Sequence, residues 1–372
     1  MSGPEKFTPR RATVADAETL VGLFNRAFGK TKDSRTMSWK YFGAPHGDSL
    51  TFLAEGVGDG EVEARAGGAY SYVSRRMTIA GRPFVGTQAS DAMVDVPFRK
   101  RGIFTSLDDR CAEAAGAEGA PVCFAVAGRQ SMHGFLKNGW RDIGTWQTWI
   151  GVLDPAALLG AKLPRALARL GGVAVSLGLA LTGRRPRSGV APGFGPIERF
   201  DSRADALFDD VKEDLPIAGV RDAAWLNWRF VDTPTGRHRC FALHRDGREG
   251  RLDGWIVVED ALGRGWVVEI LGRDADAEDL LLRGAFAHLR ERGNPMVFLS
   301  TIPCARVESM LRRNGMFPHP RKKPFKNATP TIIRVLREDL DPSPSTLLDP
   351  TQWYLFDGDR DVEHMSPALP ED

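Results

Sequence analysis

One stretch, Ser90-Asp-Ala-Met-Val-Asp-Val-Pro-Phe-Arg-Lys-Arg-Gly-Ile-Phe104, constrains the fold of this chain more than any other. Ala92, Val94 and Val96 recur at period two, as in a half-buried strand. Pro97 then removes a backbone donor and stops the ladder. Arg99, Lys100 and Arg101 follow, with Gly102 where a helix would begin, and Phe104, Leu107, Ala112 and Ala115 recur at helical spacing beyond it. The basic residues are thus delivered to a helix N-terminus, where free amides and the positive end of the helix dipole make an anion site. Three cationic side chains beside such a site suit a pyrophosphate better than a carboxylate.

Around that stretch the chain reads as short strands and helices. Phe7 to Ala12 is a strand, and Thr13 with Asp16 forms a capping box for a helix whose apolar positions run from Ala17 to Phe28 and end at Gly29. A short helix over Met37 to Phe42 precedes strands over Ser49 to Ala54 and Ala66 to Ile79, the latter turning at Ala80-Gly81 into the motif strand. After the motif helix, Val122 to Val126 is a buried strand, Gly128 to Trp140 holds a short helix ending at Gly139, and Thr145 to Leu153 supplies closing strands.

Arg99-x-x-Gly102 between strand and helix, the βααβββαβα order, and the segment Ser131…Phe135-Leu-Lys137-Asn-Gly139-Trp140 together resemble the GCN5-related N-acetyltransferases, the GNAT fold. The resemblance implies an α/β fold, with a mixed, mostly antiparallel twisted sheet flanked by helices. It implies acetyl-CoA as acyl donor, its pyrophosphate held by backbone amides of Arg101, Gly102, Ile103 and Phe104 beside Arg99 and Lys100. It further implies that the main chain of Ala92 and Val94 runs alongside the thioester and pantetheine. Phe104 stands where the family has a small residue, which implies a wider first turn or a coenzyme shifted outward. Phe135 replaces the Tyr that in many relatives protonates the departing thiolate, and Gln88 stands where many relatives carry a basic Glu. Two residues are left as catalytic candidates. Asp91 is the nearest carboxylate, facing the thioester only if the strand bulges, and His133 titrates in the right range on the helix that carries the acid in the family.

The second half repeats the first. Ser38-Trp-Lys-Tyr-x-x-x-Pro45-x-Gly47 returns as Asn227-Trp-Arg-Phe-x-x-x-Pro234-x-Gly236, and Lys137-Asn-Gly139 as Arg313-Asn-Gly315. The expected organisation is a GNAT domain over 1–154, a helical linker over 155–195, a degenerate GNAT-like domain over 196–340 and a tail over 341–372. In place of the basic loop the second copy has Asp274-Ala-Asp-Ala-Glu-Asp279, whose carboxylates repel phosphate, so it is expected to hold no coenzyme. The linker reads as a helix over Leu158 to Leu181. Its uncharged run, Leu170 to Gly183, has 14 residues, fewer than the roughly 20 that span a bilayer. Its flanking arginines suit an interfacial helix, but the expectation is packing across the two domains, without membrane contact. In the tail, Asp357, Asp359 and Asp361 imitate the start of a calcium loop, but Val362 replaces the required Gly, so no metal is expected. The preceding Trp353-Tyr-Leu-Phe reads as an anchor docking the tail on the body.

A net charge of +2 gives no global field, and no aromatic-interleaved basic stripe surrounds Arg99 to Arg101, so nucleic acid is not an expected partner. The four cysteines lie scattered without metal spacing, and Met1 to Arg11 has no apolar core of a secretory signal, both fitting a cytoplasmic protein. The expected function is transfer of an acetyl or other acyl group to the amine of a small molecule such as an amino sugar or amino acid derivative. The alternatives are a catalytically inactive acyl-CoA-binding module and an aminoacyl transferase of the Fem type, which would not need the basic loop. A homo-oligomer is left open.

Overall fold

A computed structural model describes residues 7–60, 62–128, 131–234, 236–247, 250–261, 263–320 and 329–361; Val362 lies outside them. The first part of the chain forms β1 (Phe7–Arg11), α1 (Ala17–Phe28), α2 (Ser34–Phe42), β2 (Leu50–Val57), β3 (Ala64–Ile79), β4 (Arg82–Val94), α3 (Ile103–Ala117), β5 (Val122–Val126), α4 (Met132–Lys137), β6 (Arg141–Thr145) and β7 (Gln147–Val152). Next come α5 (Pro155–Gly160), α6 (Arg165–Leu181), β8 (Phe194–Ile197), α7 (Ser202–Val211), β9 (Ile217–Gly219), α8 (Ala223–Leu226), β10 (His238–Leu243), β11 (Gly254–Ala261) and β12 (Arg264–Gly272). The chain closes with α9 (Ala275–Glu291), β13 (Met296–Thr301), α10 (Ala305–Arg313), β14 (Phe317–Pro318), β15 (Pro330–Val335), α11 (Pro344–Leu347) and β16 (Trp353–Tyr354).

The chain divides into two compact units, Met1–Gly144 with Thr329–Asp349, and Thr145–Ala328 with Pro350–Asp372. In the first unit the strand order is β1-β2-β3-β4-β5-β15-β6. β1 to β4 pair antiparallel, β4 and β5 run parallel, and β15 lies antiparallel to β5. Neighbouring residues of a strand point to opposite faces. Tyr70 therefore joins a cluster with Ile103, Leu107 and Cys111 of α3, while Ala69 joins Leu20, Leu23 and Phe24 of α1 and Met37 and Tyr41 of α2. Two layers of helix thus cover the sheet. The second unit has the order β8-β10-β11-β12-β13-β7-β14, the same plan, again with its parallel pair at the fourth and fifth strands. Its helix α9 buries Leu281, Leu282, Ala285, Phe286 and Leu289 in one continuous core.

The strands expected to close the first domain part company. β6 stays in the first sheet, but β7 lies between β13 and β14 in the second, and β15, from the far end of the chain, takes the place beside β5. The cause is local: only Trp146 separates β6 from β7, and a hairpin connection needs about two residues. β7 therefore cannot fold back along β6. The first unit ends its opening segment at Gly144, ten residues before the expected 154, and regains 329–349 later. Of the 17 residues of α6, only Ala168 and Gly172 are buried.

Candidate functional site

The basic stretch folds as its residue types dictate. Asp95 ends β4 and is buried, accepting from Arg26 Nε at 2.7 Å, an Arg65 guanidinium N–H at 2.7 Å and the Val96 amide at 2.7 Å. Burial acts against its charge, but these three donors outweigh it and hold the carboxyl below its usual range. A 3-10 turn, Val96–Phe98, leads to Arg99, and the backbone then passes through the left-handed region at Lys100 (φ 64°) and Gly102 (φ 79°) before α3 begins. A non-glycine residue there carries strain of a kind that clusters at ligand sites. Gly102 is the N-cap, and a Cβ built on it would meet nothing within 4 Å, so the approach to the helix end is open. The first-turn amides of α3 have no acceptor within the helix, whose earliest bond runs from Ser106 N to Gly102 O at 3.0 Å.

The cationic side chains divide. Arg99 and Lys100 are exposed. Arg101 donates to Val57 O at 2.6 Å and to Asp59, and its guanidinium lies over the Phe98 ring, so its side chain braces the loop. Ile103 is buried under α3. Phe104, half-buried, packs against Phe135 (centroids 5.1 Å apart) and Tyr70 (5.8 Å) as part of an aromatic cluster.

Upstream, β4 and β5 are paired only at Thr87↔Cys123 and Gln88↔Phe124, while β4 continues to Val94. Beyond that point β4 bulges: Ser71 pairs with Ser90 and Ala69 with Met93, leaving Asp91 and Ala92 against Tyr70. Asp91 sits at φ 45°, and its carboxylate accepts from Lys40 Nζ at 2.7 Å and from the Tyr41 hydroxyl at 2.5 Å, with Lys32 Nζ 3.8 Å away. Lys40 and Tyr41 are buried on α2. The bulge on which the role of Asp91 depended is therefore present. Its partners lie fifty residues upstream, in the Trp-Lys-Tyr motif that sequence reading set down as a repeat marker. Ala92 and Val94 are half-buried around Met93.

His133 is exposed on α4, and Phe135 of the same helix is buried among Phe104, Tyr70 and Trp140. A fully buried carboxylate escaped sequence reading altogether. Asp108 of α3 accepts from Tyr72 Oη at 2.7 Å, Asn138 Nδ2 at 2.5 Å, Trp140 Nε1 at 2.9 Å and an Arg334 guanidinium N–H at 2.7 Å. It ties α3, β3, the turn after α4 and the returning β15 together. The two catalytic candidates thus stand on different elements, Asp91 on β4 and His133 on α4.

The second unit uses the same places differently. Asp274 caps α9, accepting from the Ala277 amide at 2.8 Å, and pairs with Arg245 at 2.7 Å. A carboxylate of the chain itself thus occupies the helix end. β12 and β13 pair only at Gly265↔Val297 and Trp266↔Phe298. Past that ladder the tail sits against both: Phe356 bridges Thr301, Asp357 accepts from Ser300 N at 3.1 Å, and Asp359 pairs with Arg221 at 2.9 Å. Arg221 also meets Glu269 of β12 at 3.2 Å, and all three side chains are fully buried. Arg229 donates to Gly358 O at 2.8 Å. A Cβ on Gly358 would fall 2.5 Å from Glu269 and 2.8 Å from Phe230. Burial pushes the Asp357 carboxyl up to about 6, against the Arg360 guanidinium that lowers it. Among the described residues no group of His, Cys, Asp and Glu is arranged to hold a metal ion, and no helix is long and apolar enough to cross a membrane.

No family model matches the sequence, and no curated protein matches it. Solved structures do. The GCN5-related N-acetyltransferase of Anabaena variabilis superposes with a TM-score of 0.61 over 89% of this chain and 73% of its own, at 10% identity. A conserved Enterococcus faecalis protein of unknown function, a probable N-acyltransferase, gives 0.62 over 89% and 73% at 9% identity. The GCN5-related N-acetyltransferase of Kribbella flavida gives 0.56 over 89% and 72% at 13% identity. At such identities the likeness shows the fold: this chain has the GNAT fold, with two mixed, mostly antiparallel sheets flanked by helices.

Proposed function

We propose that the first unit is an N-acyltransferase that moves an acetyl or other acyl group from acyl-CoA to the amine of a small molecule, such as an amino sugar or amino acid derivative. The observation that carries this reading is that β4 supplies both parts of such a site: bulged Asp91, then, five residues after Val94, the loop that begins at Arg99. The first-turn amides of α3 with Arg99 and Lys100 hold the pyrophosphate, and the main chain of Ala92 and Val94 aligns the reactive arm. Acyl-CoA, when bound, supplies the acyl group as an activated thioester. Asp91 attracts the cationic acceptor and takes one proton from its ammonium, which frees the lone pair that forms the C–N bond; the nitrogen's second proton goes to solvent once that bond has formed, while Lys40 and Tyr41 keep the carboxylate in place. To His133, exposed to solvent, we assign the proton returned as the C–S bond breaks.

Calorimetry with acetyl-CoA on the full chain and on Arg99→Glu/Lys100→Glu tests the binding half. Both side chains are exposed, so the variant folds, and at least a tenfold loss of affinity, about 1.4 kcal/mol, is expected. A thiol-release assay over a panel of amines tests the chemistry, with Asp91→Asn lowering kcat at unchanged donor affinity and His133→Ala altering the basic limb of the pH profile, where a proton donor is lost. Binding that ignores the double charge reversal would remove the loop from the function. Binding without turnover on any amine would favour the acyl-CoA-binding module, for which the burial of Phe135 at the usual acid position speaks.

A further inference from the structure

We infer that α6 and the arginine-lined cavity at its C-terminal end dock the second unit on an anionic phospholipid bilayer. The first observation is the face α6 leaves to solvent. Leu167 (55%), Leu170 (70%), Val173 (61%), Leu177 (59%) and Leu181 (88%) are exposed, and at 3.6 residues per turn they fall within one sector of roughly 120°. That is the width of an apolar stripe meant for burial, yet the fully buried residues of α6 are the small Ala168 and Gly172, on the other side. A helix with such a stripe and too short to span lies in the plane of an interface.

The second observation is charge. From Pro155 to Ile197 the chain has Lys162, Arg165, Arg169, Arg184, Arg185 and Arg187 and no Asp or Glu, within a protein of net charge +2, so the remainder is net acidic. The third is a cavity of about 500 Å³ within the second unit, lined by Arg185, Arg187, Arg290 and Arg313 together with Leu179 and Ala180 of α6. None of its described lining residues is acidic. Arg313 is shared with Asp279 at 3.2 Å and Glu278 at 3.8 Å. The loop that carries Arg185 and Arg187 is held in place, Gly189 N donating to Arg283 O of α9 at 3.2 Å. Guanidinium groups in such a cluster match phosphate oxygens, and the apolar stripe beside them matches the acyl chains beneath a headgroup.

The alternative occupant, a second copy of the chain, is disfavoured by the same charges. A symmetric contact through α6 sets the patch against itself and brings like charges together. An anionic bilayer satisfies both the stripe and the arginines.

Flotation of the full chain with vesicles tests this. Phosphatidylcholine vesicles with about a third phosphatidylglycerol are compared with pure phosphatidylcholine, and light scattering reads the oligomeric state without lipid. Binding to the anionic vesicles alone is expected, weakened by high salt. Leu170→Glu/Leu177→Glu and, separately, Arg185→Glu/Arg187→Glu should each lower it at least tenfold, with circular dichroism and acetyl-CoA affinity unchanged. Since every substituted side chain is exposed, a loss of binding cannot be put down to misfolding. Absence from both vesicle types, equal binding to both, or self-association abolished by the leucine substitutions without vesicle binding would each overturn the inference.

Discussion

The two units share a strand order and a parallel pair that separates after two residue pairs, yet what each does with the resulting gap is opposite. In the first unit the gap is flanked by a bulged Asp91 steadied by Lys40 and Tyr41, and by a helix end left open at Gly102. In the second, Asp274 caps the helix end, and the chain's own residues 356–359 lie against β12 and β13. Arg229 and Phe230, the counterparts of Lys40 and Tyr41 in the sequence repeat, meet Gly358 of that tail. One frame is thus left open, and the other is closed by the chain's own tail. The lesson is that a binding gap between splayed strands exposes polar backbone that something must satisfy.

Truncation before Pro350 gives the largest expected effect. It strips the buried Trp353, Tyr354 and Phe356 from the second unit, each worth about 1.5–3 kcal/mol. It also leaves Arg221 and Glu269 buried without Asp359, a loss of about 3–5 kcal/mol. Hydrogen exchange should show the second unit unfolded while amides of β2 to β4 stay protected. Protection lost equally in both units would mean that they fold as one, and would break the comparison. Next in size is Asp108→Ala, which leaves Tyr72, Trp140 and Arg334 without their buried acceptor and should cost about 3–5 kcal/mol. Its nearest analogue, Asp279, which accepts from Asn314 at 2.7 Å, is partly exposed, and Asp279→Ala should cost about 1 kcal/mol or less. Urea unfolding of both variants measures the difference.

What was legible in the sequence were features local along the chain. The strand–loop–helix of Ser90 to Phe104, the repeat of Lys137-Asn-Gly139 in Arg313-Asn-Gly315, and the acidic start of α9 each sit within a few residues, where period, capping and charge act. The tail's aromatic anchor is legible for the same reason: Trp353-Tyr-Leu-Phe is too apolar to stay in water, and all four side chains are buried. What escaped were contacts set by topology. Asp91 with Tyr41 spans 50 residues, Arg221 with Asp359 spans 138, and Asp108 with Arg334 spans 226. No spacing rule joins them. The strand exchange had a signal in the single residue Trp146 between β6 and β7, but Pro330 to Val335 fits either sheet by pattern alone, so only the assembled topology decides.

The remaining effects are smaller and bear on each gap separately. Asp357 has a carboxyl raised from 3.8 to about 6 in the folded second unit. A raised acid binds its proton more tightly when folded, so its stabilisation is complete below pH 3.8 and is lost as pH rises toward 6. That swing amounts to about 3 kcal/mol, and Asp357→Asn should flatten the fall in Tm between these limits. A slope unchanged in the variant would assign it elsewhere. Acetyl-CoA at a hundredfold excess over Kd should stabilise a protein that binds it by about 2.7 kcal/mol. Read by hydrogen exchange, that protection should fall on α3 and β4 and spare α9 and β12; protection of α9 would reopen the second gap as a site.

The smallest effect separates the two helix ends themselves. Lys100 and the N-cap Gly102 before α3 sit at φ 64° and 79°, whereas Asp274, the N-cap of α9, sits at φ −147°, ordinary extended backbone. A left-handed non-glycine residue costs about 1–2 kcal/mol, and glycine returns roughly 0.5–1 kcal/mol of that through its greater freedom when unfolded. Lys100→Gly should therefore raise the stability of the first unit by about 0.5–1 kcal/mol while lowering acetyl-CoA affinity through the lost cation. Gain and loss together would identify the strain as tolerated for the sake of the ligand. A variant that gains stability and keeps its full affinity would show that Lys100 serves neither, and would leave the open helix end alone as what distinguishes the first unit from the second.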